Sequence, residues 1–350
     1  MKLNNLILCA GAVLALASCS NKDNDGTYTV TVPLTGLDMN GKTVYLSNYD
    51  TREKIDSVTV ENDTARFTGT ATKAFMANLI YDGRTLREFI VEKGDITFDT
   101  VNYWASGTPL NESFGKILSR LTEIEKEARS LPRDSSAMET YTKLETEYDS
   151  IVAASVEANK ANPIGYYFFA GNLYNMDSEE LGEQLKKYPE FKDTEAVKRR
   201  QETLQKIAET SAGKQYKDFT VKYNGADQKL SDYVGKDGKY TLVDFWASWC
   251  GPCMREIETL KKLNKEYGSK MNVVGVAVWD EPENTLDAIA RKEISWPCII
   301  DAQRIPTDIY GIAGIPCIIL IDPQGKILVR DKMGEELEQA VKEALAPAAE

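Results

Sequence analysis

The sequence predicts an α/β C-terminal domain, preceded by a small antiparallel β-sandwich and a helical connector. Three changes of pattern along the 350 residues carry this expectation. Apolar residues first alternate with period two, then recur at helical spacing, and finally short apolar runs alternate with helical stretches. A chain of this length exceeds one ordinary core. The expected boundaries are 27–110 for the sandwich, 111–215 for the connector and 216–350 for the α/β domain, after an export signal over 1–18 and a tether over 19–26.

In the first zone the alternation is clear in Tyr28, Val30 and Val32, in Val44-Tyr45-Leu46, and in Ile55-Asp56-Ser57-Val58-Thr59-Val60. Asn40-Gly41, Asn62-Asp63, Asp82-Gly83 and Lys93-Gly94-Asp95 supply turns between the runs, the spacing of an antiparallel sandwich. No constellation of catalytic side chains occurs there. From Asn111 to about Ala212, Tyr141, Leu144, Tyr148, Ile151, Val152 and Ser155 fall on one helical stripe, and Pro163 suits a first helical position. The aromatic run Tyr166-Tyr167-Phe168-Phe169 is expected to pack in a core rather than face a ligand.

In the third zone Thr241-Leu242-Val243-Asp244-Phe245-Trp246 is apolar enough for a central buried strand. A helix is expected over 250–267, a strand over 272–279, a helix over 283–292, strands near 298–301, 318–321 and 326–329, and a last helix over 335–345.

Composition excludes several chemistries. A net charge of −12, with scattered lysines, argues against a nucleic-acid surface. The chain has no histidine, which removes Ser-His-Asp and Cys-His catalysis and histidine-ligated zinc or haem. Of 6 cysteines, Cys9 and Cys19 lie in the first segment and the other four lie beyond residue 249, too few and too clustered for a disulfide-stapled scaffold.

The chemistry lies in Trp249-Cys250-Gly251-Pro252-Cys253, between an expected strand and an expected helix. A thiolate attacks a disulfide, so the first cysteine needs a depressed pKa. A helix mouth supplies free N–H groups and the positive end of the macrodipole. Two intervening residues put Cys253 one turn on, and Pro252 fits a first turn, where its missing N–H would be unpaired anyway. Half a zinc site or a structural disulfide is the competing interpretation; zinc needs more soft ligands, and no second Cys-x-x-Cys or histidine exists to supply them. No metal is expected, and no cofactor beyond the Cys250–Cys253 pair.

The run from Val243 to Cys253 resembles the thioredoxin active site almost residue for residue, and Ile315-Pro316 resembles the family's cis-proline loop. The last third as a whole is similar to the TlpA/ResA branch of the AhpC/TSA–thioredoxin superfamily. That resemblance implies a thiol–disulfide oxidoreductase with Cys250 attacking and Cys253 resolving. It implies that Trp249 shields the sulfurs and that a cis Pro316 exposes the Ile315 backbone to an extended substrate. Asp244 matches thioredoxin's buried carboxylate and is the candidate to accept the Cys253 proton; the alternative is a carboxylate that satisfies strand-end polar groups. Gly251-Pro252 matches the reducing thioredoxins rather than the oxidising DsbA class. Protein disulfides are the implied substrates and a DsbD/CcdA-type membrane protein the implied electron donor. Cys298 and Cys317 are expected to be inert buried thiols, with a second redox pair as the alternative.

The N-terminus points to the cell envelope. Lys2 precedes an apolar run from Leu6 to Ala17, too short to span a bilayer. Leu16-Ala17-Ser18-Cys19 resembles the bacterial lipobox, which implies cleavage before Cys19 and lipidation of its thiol and amine. The acidic tether that follows resembles the signals that carry Bacteroidetes lipoproteins to the outer leaflet, so both periplasm-facing and surface-exposed anchoring are expectations. The first β zone, through Gly41-Lys42-x-Val44-Tyr45-Leu46, Ile55-Asp56-Ser57-Val58 and Glu92-Lys93-Gly94-Asp95, resembles the N-terminal domain common in such lipoproteins. Two rival functions are a thiol peroxidase of the same superfamily, against which Ala247 stands where the peroxidatic threonine belongs, and a surface binding module with an accessory redox domain.

Overall fold

A computed structural model describes residues 26–99, 102–132 and 134–346. The export signal, Cys19 and most of the tether lie outside them. The chain divides into two compact units, one through Phe169 and one from Ala170 onward. The expected connector is therefore shared between the two.

The first unit begins with eight strands: β1 (Thr27–Pro33), β2 (Thr43–Asn48), β3 (Lys54–Thr59), β4 (Thr64–Thr70), β5 (Phe75–Tyr81), β6 (Arg84–Val91), β7 (Gly94–Phe98) and β8 (Ala105–Ser106). They form two four-stranded sheets, β4-β1-β7-β8 and β3-β2-β5-β6. Val30, Val44, Leu46, Phe67, Leu79, Phe89 and Ile96 close a common core between the sheets, which makes the unit a sandwich. Asp82-Gly83, both at positive φ, turn β5 into β6 as a two-residue hairpin requires. One pairing departs from the antiparallel expectation: β1 and β7 run parallel. The chain changes sheets between β6 and β7, with Gly94 at φ 121°, and so meets β1 from the other direction.

Three helices follow, α1 (Pro109–Ser130), α2 (Met138–Ala158) and α3 (Pro163–Asn172). Buried Asn111 binds α1 to the sheet edge: its side chain accepts from the Ile90 N–H at 3.0 Å and donates to the Ile90 carbonyl at 2.7 Å. The Glu92 carboxylate accepts from the N–H groups of Leu110 and Asn111 at 2.8 and 3.1 Å, capping the orphan donors of the first turn. Tyr167 packs edge-on against Phe114 and Phe168, and Phe168 and Phe169 are buried, so this part of the aromatic run is core. Of the stripe on α2, Leu144 and Ser155 are buried, whereas Tyr141 is exposed.

The second unit continues with α4 (Ser178–Lys187) and α5 (Glu195–Glu209), then the hairpin β9 (Thr220–Tyr223) and β10 (Ala226–Lys229). Next come β11 (Tyr240–Trp246), α6 (Gly251–Tyr267), β12 (Met271–Ala277), α7 (Pro282–Arg291), β13 (Cys298–Ile299), α8 (Ile305–Tyr310), β14 (Cys317–Ile321), β15 (Ile327–Arg330) and α9 (Gly334–Ala344). The sheet order is β13-β12-β11-β14-β15. The first three strands are parallel, and β14 runs antiparallel to both β11 and β15. Alternate side chains of β11 serve two cores. Leu242 meets α6 and α9 on one face, while Val243 and Phe245 meet Tyr310, Ile312 and the β9–β10 hairpin region on the other. The hairpin and α8 were not anticipated from the sequence.

Replacing Asn111 by Ala leaves the Ile90 amide and carbonyl buried without partners. The expected loss is about 2–4 kcal/mol, read as a lower denaturant midpoint for the first unit.

Candidate active site

Strand β11 is buried along almost its whole length between β12 and β14. It ends at Trp246, and Cys250 then caps the N-terminus of α6, whose first turn holds Pro252. Cys250 and Cys253 are joined as a disulfide with Cα atoms 5.2 Å apart. The Cys253 N–H points at the Cys250 sulfur from 3.1 Å. Cys253 is fully buried and Cys250 is 4% exposed, while Gly251 and Pro252 lie open to solvent. The sulfur that is reached first is therefore Cys250, at the donor-rich end of the helix.

The Ile315–Pro316 peptide bond is cis, and the Ile315 carbonyl oxygen lies 3.7 Å from the Cys250 sulfur. Ile315 packs with Trp246, Ala247, Cys250 and Cys253. Trp249 is 61% exposed, its indole N–H donating to the Trp279 carbonyl at 2.9 Å. This bond ties the ring to the chain just beyond β12.

Asp244 sits opposite Gly275 on β12 and Ile318 on β14, almost entirely buried. Burial, and next the charge of Glu256, push its carboxyl up to about 8. One of its oxygens is buried and finds no hydrogen-bond partner among the described residues. Gly275 makes room here: a β-carbon would come within 2.7 Å of the Cys298 sulfur and 2.9 Å of the Trp246 indole nitrogen.

The structure adds two carboxylates that sequence reasoning missed. Glu256 is buried on α6, on the same inward stripe as Cys253, Ile257 and Leu260, and accepts from the Gly334 N–H at 2.9 Å. An acid at core spacing three residues after Cys253 was the available signal. Asp280, just past β12, is also buried. It accepts from the Ser248 N–H and hydroxyl at 2.7 and 2.9 Å and from the Thr285 hydroxyl at 2.8 Å. This clamp fixes the loop two residues before Cys250, and it joins residues too far apart in sequence to be legible.

Cys298 and Cys317 are free thiols, the first half-buried and the second buried. Burial, then Asp244, pushes Cys298 up to about 12. Burial, then Asp331, raises Cys317, whose thiol donates to Asp331 at 3.0 Å. Neither is placed to become a thiolate near neutrality.

Residues 212–330 match the AhpC/TSA family, and residues 28–114 match a domain of unknown function (DUF4369). The thioredoxin-like protein YneN of Bacillus subtilis is 34% identical over 119 residues, covering 33% of this chain and 68% of that protein. The chain belongs to the AhpC/TSA family of thioredoxin-like proteins. Its C-terminal domain is a thioredoxin-like oxidoreductase domain. The thiol-disulfide oxidoreductase ResA of Geobacillus thermodenitrificans is 31% identical, over 29% of this chain and 58% of its own length. The thiol:disulfide interchange protein CycY of Rhizobium leguminosarum is 34% identical, over 32% and 60%. The chain thus spans about three fifths of each of these two relatives. Among solved structures, the thioredoxin domain of a thiol-disulfide oxidoreductase from Bacteroides vulgatus shares 27% identity, covers 39% of this chain and 99% of its own, and has a TM-score of 0.35.

Two outcomes follow from the electrostatics. Asp244 titrates near 3.8 when unfolded and about 8 when folded, so the folded state holds a proton that the unfolded state releases between those values. Stability of the oxidised protein should fall as pH rises across that window, and Asp244→Asn should remove most of that slope, as denaturant midpoints at several pH values will read. In the reduced protein at pH 7, iodoacetamide should label Cys298 and Cys317 more than about a hundredfold more slowly than Cys250, as peptide mass spectrometry will read.

Proposed function

We propose that this protein reduces disulfides of extracytoplasmic proteins, working from the cell envelope through a lipid anchor at Cys19. The observation that carries the reading is the Cys253 N–H aimed at the Cys250 sulfur from the first turn of α6. A sulfur there bears negative charge at low cost, because helix donors and the macrodipole favour the anion. The names of the relatives, oxidoreductase and interchange protein, support the same chemistry.

In the reduced protein the Cys250 thiolate attacks a substrate disulfide, forming a Cys250–substrate bond and expelling one substrate thiolate. Asp244 first gives up its own carboxyl proton to solvent and then, as the carboxylate, takes the proton of Cys253. The Cys253 sulfur then attacks Cys250, the mixed disulfide breaks, and the second substrate thiolate leaves. Two electrons pass from the cysteine pair to the substrate, and solvent protonates the products. Gly251-Pro252 between the cysteines favours the reducing direction, near the roughly −270 mV of thioredoxin. Each turnover leaves the pair oxidised, so a dithiol donor must return two electrons; a membrane donor of the DsbD/CcdA type fits the envelope setting. No helix among the described residues is long and apolar enough to cross a membrane; at Cys19 two or more acyl chains would hold the protein stably. The apolar run and lipobox ahead of Cys19 support that assignment.

Titration of the reduced protein should place the Cys250 thiol well below the ordinary value of roughly 8.5. Cys253→Ser should accumulate mixed disulfides on Cys250 in oxidising cells, and Cys250→Ser should lower insulin reduction by at least about a thousandfold. An ordinary Cys250 pKa with no trapped partner overturns the reading. Stoichiometric sulfenic acid at Cys250, formed faster by hydrogen peroxide than exchange proceeds, replaces it with peroxidase chemistry.

A further inference from the structure

The segment ahead of the thioredoxin-like core reaches the active site. Helix α5 is fixed to the chain that enters the cis-proline loop. A β-carbon at Gly311 would lie 2.6 Å from the Thr203 carbonyl, so the two backbones touch. Arg330 donates to the Thr210 and Tyr310 carbonyls at 3.2 and 2.8 Å, tying the end of α5 to the end of α8. From α5, Arg200 reaches back to donate to the Met176 carbonyl at 3.1 Å, with its guanidinium 5.9 Å from the Tyr174 ring. Leu173 and Met176 are buried and anchor the turn between α3 and α4, while Tyr174 between them is 58% exposed.

That exposed tyrosine meets the edge where a substrate would pair. A β-carbon at Gly314 would fall 2.6 Å from the Tyr174 hydroxyl oxygen. Gly314 does not have positive φ, so backbone strain does not explain the glycine; the tyrosine occupies the space a side chain would need. Along the loop the order is therefore the Cys250 sulfur, the Ile315 carbonyl, Gly314 and the hydroxyl end of Tyr174, with exposed Trp249 directly before Cys250 in sequence. Isolated exposed aromatics are common. Two of them flanking a nucleophile beside a half-exposed backbone edge suit an extended segment bound by its main chain and by a neighbouring side chain.

We infer that Tyr174 forms a wall of the substrate groove and selects disulfides in extended segments that carry an aromatic or large apolar side chain beside the cystine. This rests on Cys250 being the exchanging thiol. Tyr174 acts as a specificity residue and leaves the sulfur chemistry unchanged.

The test uses the Cys253→Ser protein, in which exchange stops at the mixed disulfide on Cys250. Rates are measured with three probes: a peptide disulfide flanked by Phe, the same peptide flanked by Gly, and hydroxyethyl disulfide. With Tyr174 present, the Phe-flanked probe should react about three- to tenfold faster than the Gly-flanked one, the factor a single aromatic contact supplies. Tyr174→Ala should bring that ratio to about one while leaving the hydroxyethyl disulfide rate and the Cys250 pKa unchanged, and Tyr174→Phe should keep the ratio. An equal rate for both peptides, or a preference that survives Tyr174→Ala, overturns the inference alone. Failure of all three probes to react overturns the oxidoreductase reading, and the groove with it.

Discussion

The contact on which the site depends is the one between a backbone N–H in the first turn of α6 and the Cys250 sulfur, 3.1 Å apart. It exists because β11 runs buried through the middle of the sheet and releases the chain at Trp246, so that the next helix begins at Cys250. A helix start has donors with no internal partner. Here a sulfur receives one of them. The placement of that sulfur at a donor-rich helix start thus follows from how a central strand hands over to a helix.

Charge around the pair is arranged by the same geometry. Alternation along β11 sends Asp244 and Trp246 to the face of α6, while Val243 and Phe245 pack on the other face. A carboxyl placed there cannot be ionised cheaply, with Glu256 adding a second acid nearby, so its pKa is pushed up to about 8. Asp280 plays a different part. Two short hydrogen bonds from Ser248 and one from Thr285 converge on its carboxylate, holding the chain two residues before Cys250 from a neighbouring strand end. The two remaining thiols are raised by burial, which leaves one cysteine suited to begin exchange.

Much of this was legible because it is local. The Cys-Gly-Pro-Cys spacing, the apolar run before it, and Ile315-Pro316 each express chemistry within a few residues. The strand and helix order of the last third follows from period and length, and the principal departures have physical reasons. Helix α8 spans only Ile305–Tyr310, too short for its periodicity to register. The hairpin over 220–229 is polar and largely exposed, so burial left little trace in its sequence. In the first unit, alternation identified strands but could not reveal that β7 pairs parallel to β1, since direction depends on which sheet the chain joins after Gly94.

By itself the sequence determined that two cysteines stand at Cys-x-x-Cys spacing, that the chain has no histidine, and that an acid lies six residues before the first cysteine, for these depend on residue type and short spacing. Only the tertiary structure decided that Glu256 shares that acid's environment, that Asp280 holds Ser248, and that Tyr174 stands against Gly314. Those pairings join positions tens to more than a hundred residues apart, or turn on which face of a helix is inward. They are set by how sheet and helices pack, and packing is a property of the folded chain that local patterns do not carry.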